Sequence, residues 1–367
     1  MNFEVNGYNI FIIVAVCFLS SLIFVQIMKK VAIFLKVLDV PNDPRKIHKK
    51  PMPLLGGLGI FFAFLLGYML FAPKNNLMIA VLIGSFLIML LGLFDDMTKS
   101  ETPMPNKYKV LVQLIVAAIV VFYGGLELTK ITLFGMTITF TSIPFLSEFL
   151  SILIIVATIN AINLIDGLDG LCAGISSIYF LTIAIIGFIL NKFGGLDVIL
   201  SLIMLGSTLG YLVHNFPPAR IYQGDAGSTF LGFMIAVIFL LGFKTTTLTS
   251  LIIPMLILAI PIMDTLFAII RRKIKGQSID HADKEHLHHQ LLKHFSKKSS
   301  LLVIYAINIL FSATTIFYVL GNKKTVICCY VVLMFIVLFL ILKTDIVFDW
   351  TSKKNKKNNR GEENKWK

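Results

Sequence analysis

Charge is scarce in this chain: only 14% of its 367 residues are Asp, Glu, Lys or Arg, against about 25% in an ordinary soluble domain. Hydrophobic side chains reach 57%, and the mean hydropathy is +0.85. A compact soluble protein cannot hide that much apolar surface. The same composition excludes disorder for the bulk of the chain. Cysteine is sparse too. Cys17, Cys172, Cys328 and Cys329 lie in or beside apolar runs, without metal-type spacing, and read as buried thiols. No repeat of fixed period is present, and the apolar runs are unbroken rather than alternating, which disfavours a β-barrel. What remains is an all-α polytopic membrane protein.

A helix needs about 20 mostly apolar residues to cross the hydrocarbon core. Eleven stretches qualify: 9–28, 54–72, 77–94, 108–124, 148–165, 171–190, 196–213, 228–243, 249–270, 301–320 and 325–343. The first is too long and too weakly basic at its start for a plain signal peptide. With the N-terminus outside, loops 29–53, 95–107, 166–170, 214–227, 271–300 and the C-terminal tail face the cytoplasm. With flanking residues assigned to the nearest loop, those segments hold 27 of the 33 Lys and Arg, as the positive-inside rule requires. They also hold 16 of the 20 acidic residues. Carboxylates and bases gathered at one membrane face point to a polar site there. The net charge of +13 therefore reflects topology, and nucleic acid is not an expected partner.

Residues 125–147, rich in Thr, Ile and Phe around Phe134-Gly135, read as a small external β-hairpin. Residues 1–343 read as a single transmembrane domain. The Lys- and Asn-rich tail, 344–367, reads as a disordered basic arm beside the anionic inner leaflet.

Five polar segments interrupt the ladder. Residues 39–57 contain four prolines, Gly56-Gly57 and the cations Arg45, Lys46, His48, Lys49 and Lys50. They suit either a topology signal or a clamp for a phosphorylated substrate. Asp95 and Asp96 close the third span. A helix C-terminus disfavours carboxylates, and a bound divalent cation would remove that penalty. Asn160, Asn163, Asp166 and Asp169 recur every three residues in TINAINLIDGLDGLCAG. They form a slanted polar ribbon that needs partners such as a metal or a phosphorylated ligand. In HNFPPARIYQGDAGSTFLG, His214 and Asn215 precede two prolines. Asp225 there is a hard oxygen donor at the start of a span, and Tyr222 is either an interfacial anchor or a stacking ring. The basic loop 271–300 carries His286, His288 and His289. Zinc binding, imidazole contacts to pyrophosphate and a plain amphipathic helix are all open readings of it.

In this order, the motifs P-N-x-x-R-K-x-H…GG, FDD, N-x-x-N-x-x-D-G-x-D-G, HNFPPA…GDAGS and HLHH resemble the polyprenyl-phosphate N-acetylhexosamine-1-phosphate transferase family. The resemblance runs from about residue 39 to residue 295. It implies transfer of a sugar-1-phosphate from a UDP-sugar to undecaprenyl phosphate, with Mg²⁺ or Mn²⁺, at the cytoplasmic face of a bacterial inner membrane. Pro53-Leu54-Leu55-Gly56-Gly57 and His286-Leu287-His288-His289 are similar to the branch that uses UDP-GlcNAc rather than the MurNAc-pentapeptide branch. Where some members carry a further acid after the DD pair, this chain has Lys99.

By that resemblance Asp225 binds the metal, and Asp95 or Asp96 orients or deprotonates the acceptor phosphate. Asp166 and Asp169 shape the donor site, supported by Asn163 and Asn215. Tyr222 stacks on uracil. Lys49, His286, His288 and His289 bind phosphate. Another UDP-N-acetylhexosamine, or UDP-MurNAc-pentapeptide, is the nearest alternative donor. A transporter or flippase is the rival class, disfavoured because the Asp residues cluster at span ends rather than at the midplane. An apolar helix face could serve a homodimer.

Overall fold

Apolar runs punctuated by Gly, Pro and Asn fold into a bundle of helices, seen in a computed structural model. It describes residues 4–5, 7–41, 50–98, 104–133, 136–190, 192, 194–244, 253, 257–274, 276, 286–321 and 328–336. The helices are α1 (Ile10–Phe34), α2 (Gly56–Phe71), α3 (Asn76–Thr98), α4 (Asn106–Ala118), α5 (Leu146–Leu164), α6 (Leu171–Ile189), α7 (Leu196–Asn215), α8 (Gly224–Lys244), α9 (Ala259–Ile274), α10 (Leu287–Leu291) and α11 (Lys297–Leu320). A π-helical turn, Ile119–Tyr123, prolongs α4.

Among the described residues eight helices are long and apolar enough to cross a membrane. α2 and α9, at 16 residues each, fall short of that length. Residues 328–336 of the eleventh expected span are helical. The tail 344–367, Lys49 and Lys99 lie outside the described residues.

Three two-stranded ribbons decorate the bundle. β1 (Glu4–Val5) pairs with β2 (Tyr8–Asn9), and β3 (Leu38–Asp39) with β4 (Met52–Pro53). The second ribbon was not expected from the proline-rich sequence; it closes the loop that carries the cationic segment. β5 (Lys130–Leu133) pairs antiparallel with β6 (Met136–Thr139), which is the expected hairpin. The near-continuous fifth and sixth spans are separated at 165–170, where Gly170 adopts a φ of +79°.

α8 is the hub. Of its apolar stretch 94% is buried, against 28% for α1, and it packs on α2, α3, α5, α6 and α7. Lipid tails offer no hydrophobic drive between helices, so close packing depends on small residues. Gly57 lies against Gly227, and Gly92 against Ala226. α2 and α3 thereby bring their backbones onto the first turn of α8.

Candidate active site

The site grows from that first turn. Gly224 turns the chain into α8 with a φ of +69°, and a Cβ there would run into the Asp96 carboxylate. Asp96 reaches across from the end of α3. Its Oδ1 accepts the Asp225 N–H at 2.8 Å and its Oδ2 accepts the Ala226 N–H at 3.0 Å. These are donors that a helix start leaves without intrahelical partners. The carboxylate caps them from a neighbouring helix, where the α8 dipole also favours negative charge.

Asp95 faces a different group. Its Oδ2 lies 2.6 Å from Lys109 Nζ, and the same ammonium lies 3.1 Å from Asp225 Oδ2. α3, α4 and α8 thus converge on one cation bridging two carboxylates. Asp95 Oδ1 is buried without a hydrogen-bond donor. Two facing carboxylates and an unsatisfied hard oxygen suit Mg²⁺, which takes one or two protein carboxylates and completes its shell with water and phosphate oxygens. Among the described residues no group of three or more His, Cys, Asp or Glu is placed to hold a metal ion by itself.

The remaining motifs join this centre by direct contacts. Asn163 of α5 donates to Ser228 Oγ of α8 at 2.8 Å. Asp169 Oδ2 accepts the Ala219 N–H at 3.2 Å. The Asp169 carboxylate also accepts the Tyr222 hydroxyl; burial first, and this carboxylate second, push the Tyr222 phenol above its ordinary value. Asn215 Oδ1 accepts the Gly170 N–H at 2.8 Å, while its amide donates to Ile221 O at 3.0 Å. Gly56 and Gly57 donate to the carbonyls of Tyr222 and Gln223 at 2.9 and 3.1 Å. Asp166 is half-buried in the same turn.

His288 is buried with Nε2 against Gly167. Burial, then the His289 charge, hold its imidazole down at about 3, with Asp264 opposing. It is therefore neutral at working pH and packs the histidine loop onto the Asp166–Gly170 turn. His286 lies stacked parallel to His288 with ring centroids 5.9 Å apart, and His289 is 4.2 Å from His288. His286 Nδ1 is paired with Asp264 Oδ2 of α9 at 2.8 Å. Apart from Lys49, which lies outside the described residues, every site residue expected from the sequence falls in this one chain of contacts.

The glycosyl transferase family 4 model matches residues 78–243. A probable undecaprenyl-phosphate N-acetylglucosaminyl 1-phosphate transferase of Bacillus subtilis is 40% identical over 313 residues, covering 82% of either chain. The chain belongs to this transferase family. An undecaprenyl-phosphate alpha-N-acetylglucosaminyl 1-phosphate transferase of Salmonella typhi is 32% identical over 75% of the chain and 74% of its own length. A decaprenyl-phosphate N-acetylglucosaminephosphotransferase of Mycolicibacterium smegmatis is 31% identical over the same shares.

In this member of the family, sequence reading had passed over Lys109 and Asp264. Both are single charges within apolar stretches, a position that is costly unless the charge is used; that was the available signal. The family member also has an apolar cavity of ≈ 510 Å³ between α5, α8 and α9, walled by Ile154, Phe239, Pro261 and Leu266 among others. Ala161, Ile162 and Thr265 also line it, and these are close sequence neighbours of Asn163 and Asp264. Leu128, Ile131 and Phe140 of the hairpin region line it as well, so the cavity extends from there to Ala161 and Ile162 in the last turn of α5.

Proposed function

We propose that the protein transfers GlcNAc-1-phosphate from UDP-GlcNAc to undecaprenyl phosphate, releasing UMP. The observation that carries this reading is the Asp95–Lys109–Asp225 array at the capped start of α8. It presents two carboxylates and one cation within a few ångströms, which is equipment suited to hold a divalent cation and the phosphate oxygens that share it. We place this end of the bundle at the cytoplasmic face on the distribution of Lys and Arg.

The reaction exchanges one phosphoanhydride for another, so it is close to thermoneutral, and positioning with charge neutralisation is the main demand. A phosphate monoester has its second pKa near 6 and is largely dianionic at neutral pH, so the acceptor needs no protein nucleophile. It attacks the β-phosphorus of the donor directly and UMP departs. Asp225, with Asp95 beside it, would hold Mg²⁺ or Mn²⁺, which supplies charge neutralisation for the diphosphate. Lys109 balances the two carboxylates and gives phosphate oxygens a cationic partner. Asp95, facing the array, orients the acceptor phosphate and takes any remaining proton. Asp96 keeps Asp225 in place through the α8 amides. Asp169 and Asn215 brace the turn at 166–170 against the loop before α8, which shapes the donor site around Asp166 and Asn163. The apolar cavity between α5, α8 and α9 suits the prenyl chain of the acceptor.

A covalent aspartyl-phosphate is the competing path, and labelled donor would trap it on the enzyme. The decisive experiment is isotope exchange between labelled UMP and UDP-GlcNAc with purified, folded protein, undecaprenyl phosphate and Mg²⁺. Exchange that needs all components is expected. Its absence would overturn the transferase reading in favour of transport or another role.

A further inference from the structure

Asp264 is an acid in the middle of an apolar helix, 6% exposed. Both of its oxygens are spent on the histidine loop. Oδ2 pairs with His286 Nδ1 at 2.8 Å, and Oδ1 accepts the Leu287 N–H at 2.8 Å. The two bonds cross from α9 to the start of α10. They fix both the backbone at residue 287 and the plane of the His286 ring, itself only 5% exposed.

A carboxylate can only accept, so His286 Nδ1 must carry a proton. That choice settles the other nitrogen: Nε2 is a lone pair in the neutral ring and a second N–H in the cation. His288 has no such partner: its Nε2 sits buried against Gly167. Of these two stacked rings, His286 is the one whose proton position is set by a carboxylate.

We propose that Asp264 is a positioning residue of the transferase site, holding His286 in the Nδ1–H form so that the Nε2 lone pair is offered as an acceptor to an N–H or O–H of the bound substrate. The inference rests on the transferase reading for its catalytic consequence, but the arrangement itself is measurable without turnover.

The full chain labelled with ¹⁵N-histidine reports the tautomer directly. One imidazole with a protonated, hydrogen-bonded Nδ1 is expected, lost in both His286→Asn and Asp264→Asn. If His286 instead shows the Nε2–H form in the unmutated protein, the proposal fails. In Asp264→Asn the side-chain oxygen still accepts from Leu287, while its NH₂ faces Nδ1 and favours the opposite tautomer. A fall in kcat of about 10–100-fold is expected, with the melting temperature little changed, and Asp264→Glu recovering part of the rate.

Because Asp264 acts through His286, the double variant Asp264→Asn/His286→Asn should be no slower than His286→Asn alone. Losses that multiply would assign Asp264 a separate structural role and overturn the proposal. An unmutated protein without exchange activity would remove the transferase reading alone, and the ¹⁵N spectrum would still decide whether Asp264 sets the ring.

Discussion

Asp96 of α3 holds the backbone N–H of Asp225 of α8 at 2.8 Å, so one acid of the DD pair fixes the position of the acid expected to bind the metal. Asp96 and Asp225 therefore fail differently. Asp96→Ala removes a buried cap with two bonds and should destabilise the protein by about 1–3 kcal/mol. Asp225→Asn leaves that cap intact and should lower exchange by about 10²-fold or more with little change in melting temperature. Thermal unfolding in detergent beside the exchange assay separates the two. An Asp96→Ala variant as stable as the unmutated protein would return Asp96 to the list of groups acting on substrate.

Lys109 occupies the space between Asp95 and Asp225, and its side chain is 24% exposed. Lys109→Met leaves the two carboxylates facing one another with no cation between them. Their repulsion should lower stability at low Mg²⁺, and a bound divalent cation should restore it, since a ligand that binds only the folded state stabilises by RT ln(1 + [L]/Kd). The melting temperature of Lys109→Met should accordingly rise more steeply with Mg²⁺ than that of the unmutated protein, while exchange stays depressed. Equal slopes would show that the cation does not sit between these carboxylates.

Much of this site was legible as a list of residues and little of it as a set of bonds. Asp95, Asp225, Asn163 and the histidines stood out because polar groups beside apolar spans demand partners. Lys109 did not, because a Lys near the start of a span was absorbed into the positive-inside count. The capping role of Asp96 was invisible because the helix it caps lies well over a hundred residues further along the chain. Asp169 was read as shaping the donor site and Asn215 as its support, and both brace backbone, at Ala219, Gly170 and Ile221. Local spacing cannot tell a substrate contact from a brace between loops. The β3–β4 ribbon was hidden for a related reason: prolines suppress strand propensity, while two paired residues suffice to close a loop.

The glycine pair of the first motif acts through close approach. Gly57 lies so near Gly227 and the Gln223 carbonyl, at 2.6 Å from a Cβ placed on it, that no side chain fits without moving α2 away from α8. Its N–H also donates to that carbonyl at 3.1 Å. Gly57→Ala should cost about 1–3 kcal/mol by overpacking and should reduce exchange, because the displaced segment is the one that carries Asp225. Gly194→Ala, where a Cβ meets nothing within 4 Å, is the control and should leave activity unchanged. Normal stability and exchange in Gly57→Ala would show that the α2–α8 contact yields without disturbing the site.

His288 couples the fold to pH. Burial first, then the His289 charge, hold its pKa at about 3, while an unburied histidine titrates near 6.5. Between those values the unfolded chain binds a proton that the folded protein refuses, so stability falls as pH drops through this window and is fully present above it. The unmutated protein should melt at a lower temperature at pH 5 than at pH 7.5. His288→Gln removes the titrating group, and the difference between the two pH values should shrink even though the variant is less stable at both. An undiminished difference would assign the acid sensitivity to other groups and would leave His288 charged, and so exposed, at pH 5. That outcome would contradict its packing on Gly167.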